Sequence, residues 1–270
     1  MQQENENFPS ALEACFLIIL LMGLELLFSS LIDSMQSVTG MEAAQLDGVV
    51  TVLANAVLFT VLLQYKRLSY GKLFHASGNR VSVTICLLAL PLLLVLPALE
   101  LSMGLITNFI ENWIPVSATQ QREFDEMMGG SGGSVITACL IAPVLEEMLF
   151  RGIILRSFLN QYSRWRAILG SSMLFGLAHM NIYQFVSAGI IGVVCAWLYD
   201  RTRSLWPGIF LHMSSNMFVL YLYQSMSNRE VQTDWEASDW LLLLLVLMLA
   251  MAGIWLLRRL LLPGRTSANQ

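Results

Sequence analysis

The chain has 270 residues, 56% of them hydrophobic and 13% charged, with a mean hydropathy of +0.63. That composition excludes an ordinary soluble domain and defines a polytopic membrane protein. The formal net charge of −4 says little, because a membrane protein divides its charge between two aqueous faces, and no basic patch points to nucleic acid.

In chain order, long apolar runs lie at 11–32, 46–65, 81–103 and 134–156, then in a crowded stretch at 166–223, and finally at 239–262. A helix needs about 20 residues to cross the hydrocarbon core, and Asn181 and the charged cluster 200–203 divide the crowded stretch into three. The sequence therefore predicts an all-α integral membrane protein with about eight transmembrane helices, residues 1–270 forming a single transmembrane domain. The N-terminal tail is acidic and lacks the positive region of a cleavable signal peptide, so the first helix is expected to be retained. The longest polar excursion, 104–133, contains S-A-T-Q-Q-R-E-F-D-E-M-M, which predicts a short helix capped by Ser117 and ended by G-G-S-G-G. It reads as slack between helices rather than as a gate.

Lysine and arginine set the orientation. With both termini in the cytoplasm of a cell (inner or plasma) membrane, the inner loops hold Lys66, Arg67, Lys72, Arg80, Arg156, Arg164, Arg166, Arg201, Arg203, Arg258, Arg259 and Arg265, and the outer side only Arg122 and Arg229. Trp113, Trp165, Trp206, Trp235 and Trp240 fall near predicted helix ends, as interfacial residues do. His75, in the basic loop, reads as an exposed residue. The four cysteines stand singly, without the spacing of a zinc site or a disulfide framework.

Charge in the run A-P-V-L-E-E-M-L-F-R-G-I-I-L, 142–155, carries most of the functional information. A carboxylate at bilayer depth is costly unless paired or facing a wet cavity, so Glu146, Glu147 and Arg151 mark a working site or, in the simpler reading, an ion pair locking two helices. Residues four apart share a helical face, which pairs Glu147 with Arg151 and leaves Glu146 free for proton chemistry. Two of the three histidines also fall inside apolar runs: His179 closes M-L-F-G-L-A-H, and His212 lies one turn before Asn216 in H-M-S-S-N. Counted along helices from the nearest cytoplasmic arginines, Glu146 lies about 15 Å in, His179 about 20 Å and His212 about 14 Å, so the three can meet near the midplane.

A glutamate and a histidine can deprotonate a shared water, while a second histidine and an asparagine amide stabilise an oxyanion. That set suits metal-free peptide hydrolysis, and no cofactor is favoured; two histidines and a glutamate can alternatively ligate a divalent metal such as zinc. There is no H-E-x-x-H and no glycine-bracketed serine, and Asp200 between arginines reads as a helix end. Rival readings are a proton-coupled transporter, which also uses buried Glu, His and Arg, and a non-catalytic immunity or binding protein of the same fold.

E-E-M-L-F-R at 146–151, F-G-L-A-H at 175–179 and H-M-S-S-N at 212–216 resemble, in order, the motifs EExxxR, FxxxH and HxxxN of the CPBP family of type II CAAX prenyl proteases and bacteriocin-processing or abortive-infection proteins. The resemblance covers about 134–223, the expected catalytic core, and an eight-helix architecture is similar to the family's. It implies an intramembrane endopeptidase acting on a peptide or membrane-protein substrate within the lipid bilayer. Glu146 and His179 would activate the water, His212 and Asn216 form the oxyanion site, and Glu147 and Arg151 support them. The family is often described as metalloproteases, whereas its eukaryotic prenyl-protein members look glutamate-dependent and metal-free.

Overall fold

In the computed structural model the chain is described over residues 6–39, 43–129, 132–226 and 236–262. Arg229, Trp235, Arg265 and part of the G-G-S-G-G stretch, all used in the sequence readings, lie outside those residues. The described chain is all-α: α1 (Ala11–Thr39), α2 (Ala43–Lys66), α3 (Tyr70–Phe74), α4 (Val81–Glu111), α5 (Ala118–Gly129), α6 (132–161), α7 (Arg164–Ala178), α8 (Ile182–Thr202), α9 (Trp206–Met226) and α10 (Ala237–Leu261). Extended pairing among the described residues is confined to one bridge between His75 and Ser204.

Helices suit this sequence because each satisfies its backbone hydrogen bonds internally, which lipid demands. Among the described residues five segments are long and apolar enough to cross a membrane: Ala11–Ser34, Gly48–Lys66, Val81–Glu111, Ile182–Thr202 and Ala237–Leu261. Leu26, Val61, Leu90, Phe109 and Leu241 on these helices are each more than half exposed, an apolar outer surface that lipid would cover. The expected count of eight is not reached on this measure, and the reason is chemical. The remaining long helices carry the candidate site: α7 has 15 residues, α9 holds His212, Ser214, Ser215 and Asn216 at mid-length, and α6 holds Glu146, Glu147 and Arg151.

α6 is the structural centre. Residues 147–155 are buried on every face, as befits a helix surrounded by others. It is wound in alternating fashion, with π turns at Thr137–Ile141 and Met148–Leu155 flanking an α-wound Ala142–Glu147. Around it α1 packs on α2, α7 on α8, and α4 against α8, α9 and α10, while α9 lies against α6. The break at Asn181 has a local cause: its side chain accepts from the N–H groups of Tyr183 (2.9 Å) and Gln184 (3.4 Å), capping α8. Asp200 closes α8 as expected and pairs with Arg164 at 2.7 Å.

Two peripheral expectations change. The described part of the 104–133 connection is not slack: Ser117 caps α5 through Gln120 N–H, Phe124 stacks edge-on against Tyr223 at 5.7 Å, and the Tyr223 hydroxyl donates to Asp125 at 3.0 Å. Trp206, at the start of α9, packs on Phe74 with ring centroids 5.4 Å apart. His75 is half-buried, with Nε2 2.6 Å from the Asn79 carbonyl.

Candidate active site

The i, i+4 pairing of Glu147 with Arg151 is formed within α6. Arg151 Nη1 stands 2.8 Å from Glu147 Oε1, with both side chains essentially sealed from solvent. Nη2 donates to the Gly192 carbonyl at 3.1 Å, and the guanidinium lies 4.5 Å from the Phe175 ring centroid, a cation–π contact. Two glycines make room. A Cβ at Gly208 would come within 2.8 Å of Glu147 Oε2, and one at Gly192 within 3.2 Å of Arg151 Nη2. Neither glycine is marked by a sequence motif, because what it accommodates lies on another helix.

His212 is 5% exposed and faces both carboxylates. Its Nδ1 is 3.4 Å from Glu147 Oε1, and its Nε2 is 3.6 Å from Glu146 Oε2. Glu146 differs from its neighbour: its side chain is 31% exposed and borders a cavity of about 120 Å³ shared with Glu25, Thr51, Asn55 and Ala178. Adjacent positions on a helix point about 100° apart, which is why one glutamate is sealed and the other opens on the cavity.

Phe175 is the partition between the histidines, edge-on to His179 (5.0 Å) and to His212 (5.6 Å). His179 terminates α7, and its Nδ1 lies 2.9 Å from the Phe175 carbonyl. A carbonyl can only accept, so Nδ1 bears the proton, which leaves Nε2 as the position for a lone pair when the ring is neutral. Asn216 Nδ2 donates to the Ala138 carbonyl at 2.8 Å, leaving one amide N–H uncommitted. The structure thus gathers Glu146, Glu147, Arg151 and His212 directly, and sets His179 one ring away. Glu147 Oε1 and Oε2, Arg151 Nε and Nη1, and His212 Nδ1 are buried without aligned hydrogen bonds. Such a concentration of unsatisfied polar atoms is characteristic of a working site.

His179 also lines a second, larger cavity of about 760 Å³, within the roughly 300–1,000 Å³ typical of ligand sites. α4, α5, α8 and α9 enclose it. Glu100 on α4 borders it and accepts a hydrogen bond from the Ser215 hydroxyl. Sequence reading missed Glu100 and Glu25. The signal was present, since each is a lone carboxylate in an apolar run, the same argument that singled out Glu146.

Among the described residues no group of three or more His, Cys, Asp or Glu side chains is placed as metal ligands would be.

The fold and site define an α-helical integral membrane protein with a buried carboxylate–histidine centre. Residues 131–218 match the family model described as type II CAAX prenyl endopeptidase, Rce1-like, so the resemblance carried by the three motifs holds across the segment that bears the site. Among curated proteins, the chain is 33% identical over 88 residues to "Putative membrane peptidase YdiL" of Bacillus subtilis (strain 168), covering 33% of this chain and 36% of that protein. It is 29% identical over 109 residues to "Membrane-embedded CAAX protease MroQ" of Staphylococcus aureus (strain USA300), covering 38% and 43% respectively. The matched segments thus span less than half the length of these relatives. No solved structure matches the chain.

Proposed function

We propose that the protein is a membrane-embedded endopeptidase. The observation that carries this reading is His212 set between two adjacent glutamates of different exposure, one locked to Arg151 and one part-exposed, inside a segment similar to type II CAAX endopeptidases. Glu146 takes a proton from a water molecule, helped by the lone pair at His179 Nε2, and the hydroxide oxygen bonds to the scissile carbonyl carbon. His212 and the uncommitted N–H of Asn216 donate to the resulting oxyanion. Glu146 returns the proton to the amide nitrogen as the C–N bond breaks, releasing a carboxylic acid and an amine. Glu147 and Arg151 fix the His212 ring. No step passes through a metal.

The 3.6 Å approach of His212 to Glu146 favours a second assignment of the imidazoles, with His212 as the water's partner. The pH–rate profile separates the two. Loss of the water's partner should shift the acid limb, whereas loss of an oxyanion donor should lower kcat at every pH. His179→Ala and His212→Ala are the variants to compare.

The test of the function itself uses purified protein in lipid nanodiscs with a library of membrane-anchored peptides. Cleavage that disappears in Glu146→Gln supports an enzyme. Proton-coupled uptake in liposomes with no cleavage of any substrate would replace the peptidase with a transporter, and neither activity would leave a binding protein.

A further inference from the structure

Charge around the larger cavity is one-sided. Among the described residues its wall contains Glu100, Glu111 and Glu123 but no lysine or arginine. Glu100 is the unusual member, only 8% exposed and set within the apolar length of α4. A carboxylate there is costly unless a cation or a full set of hydrogen bonds compensates it. Glu147, the other buried carboxylate among the described residues, has Arg151. Glu100 has the Ser215 hydroxyl on Oε1; among the described residues nothing hydrogen-bonds Oε2, and no lysine or arginine lies within 4.0 Å.

A strap joining α4 to α9 accounts for Oε1. It accounts neither for the free oxygen nor for a cavity that opens beside it. Met103, Phe124, Met127 and Leu222 contribute apolar surface to the wall, alongside polar residues such as Thr107 and Gln120. A bare ion gains nothing from the apolar part of that surface. A lysine or arginine side chain does, because its methylene stem lies along apolar groups while its charged head reaches an acceptor.

We propose that this cavity is a subsite for a cationic side chain of a peptide substrate, with Glu100 receiving the ammonium or guanidinium group. The inference rests on the peptidase reading, in that the cavity is taken to be the one the substrate enters.

The test separates the two. Full-length protein carrying Glu146→Gln, in nanodiscs of neutral lipid, is titrated with short fluorescent apolar peptides bearing one lysine at successive positions, each with a norleucine twin. In at least one register lysine should bind about tenfold tighter or more. Adding Glu100→Gln should bring the twins to parity, while Ser215→Ala, which keeps the carboxylate, should preserve the preference. Should Glu100→Gln fail to fold, Glu100→Asp, which withdraws the charge by one methylene, should weaken the preference severalfold. Parity in every register with Glu100 intact, or a preference indifferent to both Glu100 variants, overturns the subsite. Cleavage by protein with Glu146 intact is read separately. Preference without cleavage keeps the subsite and removes the peptidase, and cleavage without preference does the reverse.

Discussion

Removing Arg151 should be far more damaging than removing Glu146, although both lie in the same short stretch. In Arg151→Met, Glu147 remains sealed from solvent and loses the guanidinium 2.8 Å away, the Gly192 carbonyl loses its donor, and the Phe175 face loses its cation. Stranding a buried charge in this way costs about 3–5 kcal/mol. At roughly 2–4 °C per kcal/mol for a chain of this size class, the midpoint should fall by about 6–20 °C. Glu147→Gln leaves Arg151 with Gly192 and Phe175, so its cost should be smaller, about 1–3 kcal/mol. Glu146→Gln, at a position bordering a cavity, should abolish turnover with a midpoint close to the parent's. The double variant Glu147→Gln/Arg151→Met should recover part of the loss, because neither charge is then stranded. Thermal unfolding in nanodiscs, followed by intrinsic fluorescence, measures all four. Equal destabilisation by Arg151→Met and Glu146→Gln, or a double-mutant cycle with no coupling, would refute the reasoning.

Gly208→Ala should lower activity strongly while leaving the helix content intact, since its methyl would sit within 2.8 Å of Glu147 Oε2; circular dichroism beside a cleavage assay checks this. Exhaustive chelation should leave cleavage unaffected, and elemental analysis of active protein should find well under one transition metal per chain; loss of activity restored by zinc would defeat the metal-free route. Sealed vesicles bearing a lone cysteine at position 72, with native cysteines replaced, should be labelled only from the cytoplasmic side, given the arginine and lysine distribution; labelling from outside would reverse the orientation.

Much of the site was legible because its logic is local. The Glu147–Arg151 pair follows from four-residue spacing, the end of α8 from Asp200 among arginines, and the break at Asn181 from a residue suited to capping. What escaped was tertiary. Glu100 acquires meaning only when α9 brings Ser215 to it, and Gly208 only when α6 brings Glu147 beside it. His179 closes its apolar run in the sequence, and the left-handed backbone at Met180, φ 55°, which no sequence signal marks, ends α7 just there. The sequence predicts α5 as a helix, but not that Tyr223 anchors it at the cavity wall. Spans were harder to count than to locate, because the polar groups that make the site also lower the apolarity by which a span is recognised.

The alternating winding of α6 bears on how this protein tolerates change. A π turn holds more residues than an α turn, so it can absorb a one-residue slip that would rotate everything downstream of an uninterrupted helix by about 100°. With π turns on both sides, the short α-wound piece carrying Glu146 and Glu147 behaves as a cassette with a slip joint at each end. Length variation outside it can be taken up in the joints, leaving the aim of the two carboxylates undisturbed.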